Sequence, residues 1–151
     1  SKLIVVDPRV NWLATRAEYH LQLRPGSDAA LALGILNVII NEDLYDHDFV
    51  EKWCIGFEEL KERGQEYPPE KVAEIAWIPK EKIISAARAF GKAGNSAVQW
   101  GVATVQARNG MQTCQALCDI MAITGNLDVP GGITIGKPSS TLGGINANLP
   151  A

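Results

Sequence analysis

The run from Ala29 to Ile40 is broken only by Gly34 and Asn37 and carries no charge. An α-helix apolar around its whole circumference has no face to offer water, so it must be packed on more than one side. The run falls short of the roughly 20 apolar residues that span a bilayer, which makes it a buried helix between layers of protein. Its start is signalled by the Pro25-Gly26 turn, by Ser27 as N-cap, and by Asp28 in the first turn, where a carboxylate favours the positive helix end.

The residues before the helix supply one of those layers. Leu3 to Val6 is a continuous, β-branched apolar run of the kind found in parallel strands covered on both faces, and Pro8 ends it. Trp12 to Glu18 reads as a short helix and Tyr19 to Leu23 as a second strand. Beyond the apolar helix, Asn41 to Asp48 reads as an acidic loop, Phe49 to Cys54 as a short helix, and Lys61 to Pro69 as a polar connector. Proline near the first turn starts helices at Lys71 to Ala76 and from Pro79 to Phe90. Ala97 to Trp100 reads as a third strand, Met111 to Ile123 as a helix stopped by Gly125-Asn126, and the Gly, Ser and Asn-rich tail has little periodicity. Helices between strands predict an α/β fold: a three-layer Rossmann-like domain with a mainly parallel sheet and a helical insertion.

Composition narrows the class further. With 151 residues, 46% of them hydrophobic, the chain is long enough for one core, and a single domain spanning 1–151 is expected. A net charge of -3 gives no basic field for tracking nucleic acid, and no segment is long and apolar enough for a membrane. The sequence begins almost inside a strand, as expected of a piece excised from a longer polypeptide whose targeting region lies elsewhere, so compartment is left open. Cys54, Cys114 and Cys118 match no common zinc or iron-sulfur spacing, and Cys114 and Cys118 read as small buried residues one helical turn apart.

Both strands end in polar, turn-forming clusters, and in open α/β sheets that end of the strands is where nucleotides bind. Asp7 can accept from a ribose and Arg9 can meet a phosphate, but Asp7-Pro8-Arg9 is equally readable as a plain turn. At Gly26-Ser27-Asp28 the glycine admits a ligand to the backbone, and an ionised Asp28 can accept two donors from one guanine edge. An ordinary helix cap accounts for Ser27 and partly for Asp28. Gly101 lacks the further glycines of a dinucleotide fingerprint, and His20 and His47 lie in different segments without a nearby Ser, Cys or carboxylate triad, so both read as structural or surface residues.

Taken together, Val5-Val6-Asp7-Pro8-Arg9, then Arg24-Pro25-Gly26-Ser27-Asp28-Ala29-Ala30-Leu31, then Asp48-Phe49-Val50 with Gly56-Phe57, then Thr124-Gly125-Asn126 and Pro130-Gly131-Gly132 resemble the molybdopterin oxidoreductases of the dimethyl sulfoxide reductase family. The resemblance covers essentially the whole chain. It implies the third, Rossmann-like domain of a catalytic subunit, holding one guanosine arm of a bis(molybdopterin guanine dinucleotide) cofactor with molybdenum or tungsten. It implies that Asp28 reads guanine beside Gly26 and Ser27, and that Asp7, Pro8, Arg9, Val10 and Asn11 approach the ribose and phosphates. Trp100, Gly101, Thr104 and Gln106 match a segment that reaches the pterin region, although the turn Val102 to Gly110 departs from the commonest pattern. The iron-sulfur segment and the metal-ligating residue belong to other parts of such a subunit, so this segment carries no catalytic and no metal residue and is expected to be inactive alone. Its implied partners are the remaining domains of the subunit and electron-transfer subunits. Two rival readings are a cofactor-free α/β interaction domain and an adenine-nucleotide or thiamine-type domain.

Overall fold

The computed structural model describes residues 2–136; the Gly, Ser and Asn-rich tail lies outside the described residues. Two short strands, β1 (Ile4–Val6) and β2 (Tyr19–Leu21), pair in parallel with Ile4 opposite Tyr19 and Val6 opposite Leu21. A single 3-10 turn, Ala14–Arg16, connects them where the sequence predicts a short helix. Seven helices follow: α1 (Asp28–Asn41), α2 (His47–Trp53), α3 (Phe57–Gln65), α4 (Pro69–Ala76), α5 (Lys80–Gly91), α6 (Val102–Gln106) and α7 (Gly110–Ile123). This is an α/β domain whose sheet, among the described residues, is small.

The apolar helix α1 is the axis of the molecule, as its composition requires. It packs against α3, α4, α5 and α7. Near its start Leu31 joins Leu21 and Leu23 of the β2 segment with Val72, Ala76, Ile78, Ile83 and Ala86 in one core cluster. Its second half, through Leu36, Ile39 and Ile40, joins Ala116, Ile120 and Ile123 of α7 in another. The two interruptions of the apolar run both serve this packing. A side chain at Gly34 would come within 2.9 Å of Val72, so glycine lets α4 approach closely. Asn37 is buried, donates to the Gly64 carbonyl at 3.0 Å and accepts from Asn41 at 3.1 Å, which satisfies a polar group that would otherwise be costly inside a core.

Four sequence expectations need correction. Residues 61–69 are not all connector, because α3 runs to Gln65: Phe57 and Leu60, three residues apart, share one helix face and pack on the α1–α7 cluster. Ala97 to Trp100 forms no strand. The segment has no ladder partner, and Val98 and Trp100 line, together with Ile4 and Val6 of β1, a cavity of about 250 Å³. Ser27 occupies the N-cap position of α1 without capping it, since its hydroxyl donates to the Arg24 carbonyl at 2.6 Å. Cys114 is half-buried and Cys118 exposed, because α7 turns Thr113, Ala116 and Ile120 inward and the cysteines elsewhere. Partial desolvation, followed by the Asp119 carboxylate, pushes the Cys54 and Cys118 thiols up, and the Cys114 thiol adds to the effect at Cys118.

Candidate functional site

The carboxyl ends of β1 and β2 lead into two loops that are tied together. After β1, the Asp7 carboxylate accepts from the Arg9 backbone N–H at 2.7 Å and from the Asn11 side-chain amide at 2.9 Å, while Asn11 Oδ1 accepts from the Ala14 N–H at 2.9 Å. The Arg9 N–H holds the Asp7 carboxyl below its ordinary value, working against partial desolvation and helped by the Arg9 and Asn11 side chains. Asp7 is thus the organiser of its own turn. The loop is fastened to β2 from two sides: the His20 ring Nε2 lies 2.9 Å from the Asp7 carbonyl oxygen, and the Gln22 amide donates to the Pro8 carbonyl at 2.9 Å. His20 and Gln22 are structural members of the site that no motif announced; their signal is period-2 placement on either side of the buried Leu21.

The second loop, residues 24–27, is built to leave groups open. Gly26 adopts φ +84°, a conformation that favours glycine, and no described atom lies within 4 Å of where a side chain would start. Because Ser27 spends its hydroxyl on Arg24, no side chain caps the first-turn N–H groups of α1. Asp28 is half-buried and takes no hydrogen bond or ion pair from any described side chain. An acceptor carboxylate beside free backbone donors and an uncrowded glycine matches the chemistry of a purine edge and its phosphates.

The cavity of about 250 Å³ brings Asp28 together with Trp100, Gly101 and Thr104, alongside Ile4, Val6 and Leu31. Gly101, like Gly26, has open space where a side chain would project. One residue of the second predicted cluster, Asp28, and three of the third therefore share one concavity. Asp7 to Asn11, Gly26, Ser27 and Gln106 do not line it; the first loop is adjacent through the end of β1, and Gln106 closes the short helix α6. One further residue, beside the loop that precedes α1, was not singled out from sequence. Trp77, at the end of α4, is 71% exposed and faces Arg24, whose guanidinium carbon lies 5.5 Å from its ring centre.

A family model described as "Molybdopterin oxidoreductase" matches residues 1–144. Acetylene hydratase of Syntrophotalea acetylenica is 49% identical over 141 residues, covering 93% of this chain and 19% of the relative. Formate dehydrogenase H of Escherichia coli (strain K12) is 38% identical over 130 residues, covering 86% and 18%. Among solved structures, acetylene hydratase from Pelobacter acetylenicus superposes with a TM-score of 0.81 at 51% identity, covering 82% of this chain and 17% of that one. The chain thus spans about a fifth of the length of these relatives. With nearly its whole length matched by one family model, and with relatives that are enzymes of that family, the chain belongs to the molybdopterin oxidoreductases.

Proposed function

We propose that residues 1–151 bind one guanosine arm of a bis(molybdopterin guanine dinucleotide) cofactor within a larger molybdenum- or tungsten-dependent enzyme. The observation that carries this reading is Asp28, a half-buried carboxylate without a side-chain partner that faces the same cavity as Trp100, Gly101 and Thr104. In this reading Asp28 accepts the N1–H and exocyclic amine of guanine as a pair, which adenine cannot supply. The N–H groups at the start of α1 hold phosphate oxygens, Gly26 admits them, and Asp7 to Asn11 form the wall next to the ribose. Trp100, Gly101, Thr104 and Gln106 continue the surface toward the pterin. When bound, the cofactor supplies the metal-centred redox or oxygen-atom chemistry. This segment binds and orients; it contributes no catalytic residue and is inactive alone.

The names of the relatives support a binding role over a substrate role. A hydratase and several formate dehydrogenases share this segment at 33–49% identity, so what it preserves is common to different reactions. Electron-transfer subunits and an iron-sulfur cluster belong to the parent enzyme in this reading. The test is the nucleotide released on denaturing the full-length enzyme by acid: guanosine monophosphate is expected. With Asp28→Asn, which replaces one acceptor by a donor, loss of cofactor from the folded enzyme is expected to accelerate about tenfold, the worth of one charge-assisted hydrogen bond. Release of adenosine monophosphate, or of no nucleotide, overturns the proposal.

A further inference from the structure

The sequence around Trp77 is a helix stop with an unusual residue in it. α4 ends at Ala76, and Pro79 prevents the chain from continuing as a helix. The residue that turns the chain between them adopts φ +61° and ψ +30°, the left-handed conformation usually filled by glycine or asparagine. Here it is tryptophan, the bulkiest side chain, held in a conformation that β-carbon sterics disfavour and left mostly exposed. A residue chosen only to end a helix would not be this one. Nor does the core account for it, since the buried cluster takes its neighbours Ala76 and Ile78 and leaves the indole outside.

The indole has one described occupation, which is Arg24. The Arg24 backbone N–H donates to the Ala76 carbonyl at 2.8 Å, fixing the two segments side by side, and the guanidinium carbon sits 5.5 Å from the Trp77 ring centre. Arg9, Arg63 and Arg88 each meet a carboxylate, whereas Arg24, like Arg16 and Arg108, meets none among the described residues. Its carbonyl receives the Ser27 hydroxyl, so the backbone that carries it is the backbone of the open loop before α1. A cation stacked on an aromatic face loses freedom without being neutralised, and its edge N–H groups stay available in the ring plane.

We propose that Trp77 is a positioning residue that holds the Arg24 guanidinium ready for the phosphate groups of the nucleotide arm. The proposal rests on the guanosine-arm reading above and deepens it by adding the cation that reading lacked on the α1 side. Arg24 meets the anion; Trp77 acts only through Arg24.

The test uses the full-length enzyme, with guanosine monophosphate released per polypeptide as the readout after a fixed incubation of the folded protein. Trp77→Gly and Trp77→Leu are expected to lower retained nucleotide about threefold or more, and Trp77→Phe, which keeps an aromatic face, to retain it near the wild-type level. Arg24→Ala should match Trp77→Gly, and the double variant should be no worse than either, as for two residues acting as one unit. A residue with a merely structural role at this turn gives the opposite ranking: glycine relaxes the backbone and retains nucleotide best, and leucine and phenylalanine behave alike. That ranking, or additive losses in the double variant, overturns the proposal. A wild-type enzyme that releases no guanine nucleotide removes the guanosine-arm reading itself, a result distinct from either ranking.

Discussion

Two turns in this molecule look alike in sequence and differ in what surrounds them. Gly26-Ser27 and Gly125-Asn126 each pair a glycine at positive φ with a small polar residue at the end of a large helix. At Gly125 the protein fills every vacancy. The Gly125 N–H donates to the Ala122 carbonyl and the Asn126 N–H to the Met121 carbonyl, the paired bonds of a Schellman stop. The Asn126 side chain accepts from the Ser96 N–H at 2.8 Å and donates to the Thr124 hydroxyl at 2.8 Å. At Gly26 the space is open, the helix donors lack a side-chain cap, and the next residue but one is an unpartnered carboxylate. The same turn chemistry can close a fold or keep a place for something else, and only the surroundings tell which.

The contrast breaks most readily by adding a methyl group to each glycine. In Gly125→Ala the new carbon would sit 2.6 Å from Asp46 Oδ2, and Asp46 cannot retreat easily because it caps α2 through the Phe49 N–H. Left-handed strain and overpacking together are expected to cost about 2–4 kcal/mol, read as a lowered urea midpoint. Gly26→Ala meets no atom, so only the strain of about 1 kcal/mol applies, while nucleotide retention in the full-length enzyme falls. Equal losses of stability at the two glycines would erase the distinction.

Removing the polar partners sharpens it. Asn126→Ala leaves the Ser96 N–H and the Thr124 hydroxyl without their amide and is expected to cost about 1–3 kcal/mol, again by urea unfolding. Asp28→Asn, by comparison, removes no side-chain bond and should cost only the helix-dipole attraction of one first-turn carboxylate, about 0.5 kcal/mol. On the proposed function, breaking the closed turn costs stability and breaking the open one costs binding.

The smallest expected effect is a pH dependence at the neighbouring loop. The Asp7 carboxyl titrates below its ordinary value of 3.8 in the folded chain, so it contributes stability that is fully present above that value. That contribution is lost as pH falls through the lowered folded value. Resonances of the Arg9 and Asn11 N–H groups followed by NMR should therefore stay constant from neutral pH down to the ordinary carboxylate range and shift only below it. In Asp7→Asn the transition should vanish.

Much of this was legible in the chain before any coordinates. The nearly apolar circumference of α1 announced a central helix, and Pro25-Gly26 and Gly125-Asn126 announced its turn and the end of α7, because each follows from local sterics and solvation. The failures share a different cause. Ala97 to Trp100 has the alternation of a strand, but a strand exists only when another backbone pairs with it, and pairing is not written in the segment itself. Helix α3 was hidden by its charged residues, since one apolar stripe of Phe57 and Leu60 is enough once α1 offers a surface. Ser27 was a sound cap by type, yet its hydroxyl had a second acceptor three residues back in Arg24. Trp77 escaped notice because its role depends on Arg24, far away in sequence and brought close only by folding.

The two-stranded sheet also bears on how the chain behaves in bulk. Among the described residues β1 is bonded along one edge only, and Val6 is 44% exposed. An apolar strand with an unpaired edge is a template for another strand, so residues 4–6 are the site where colloidal self-association of this segment should begin.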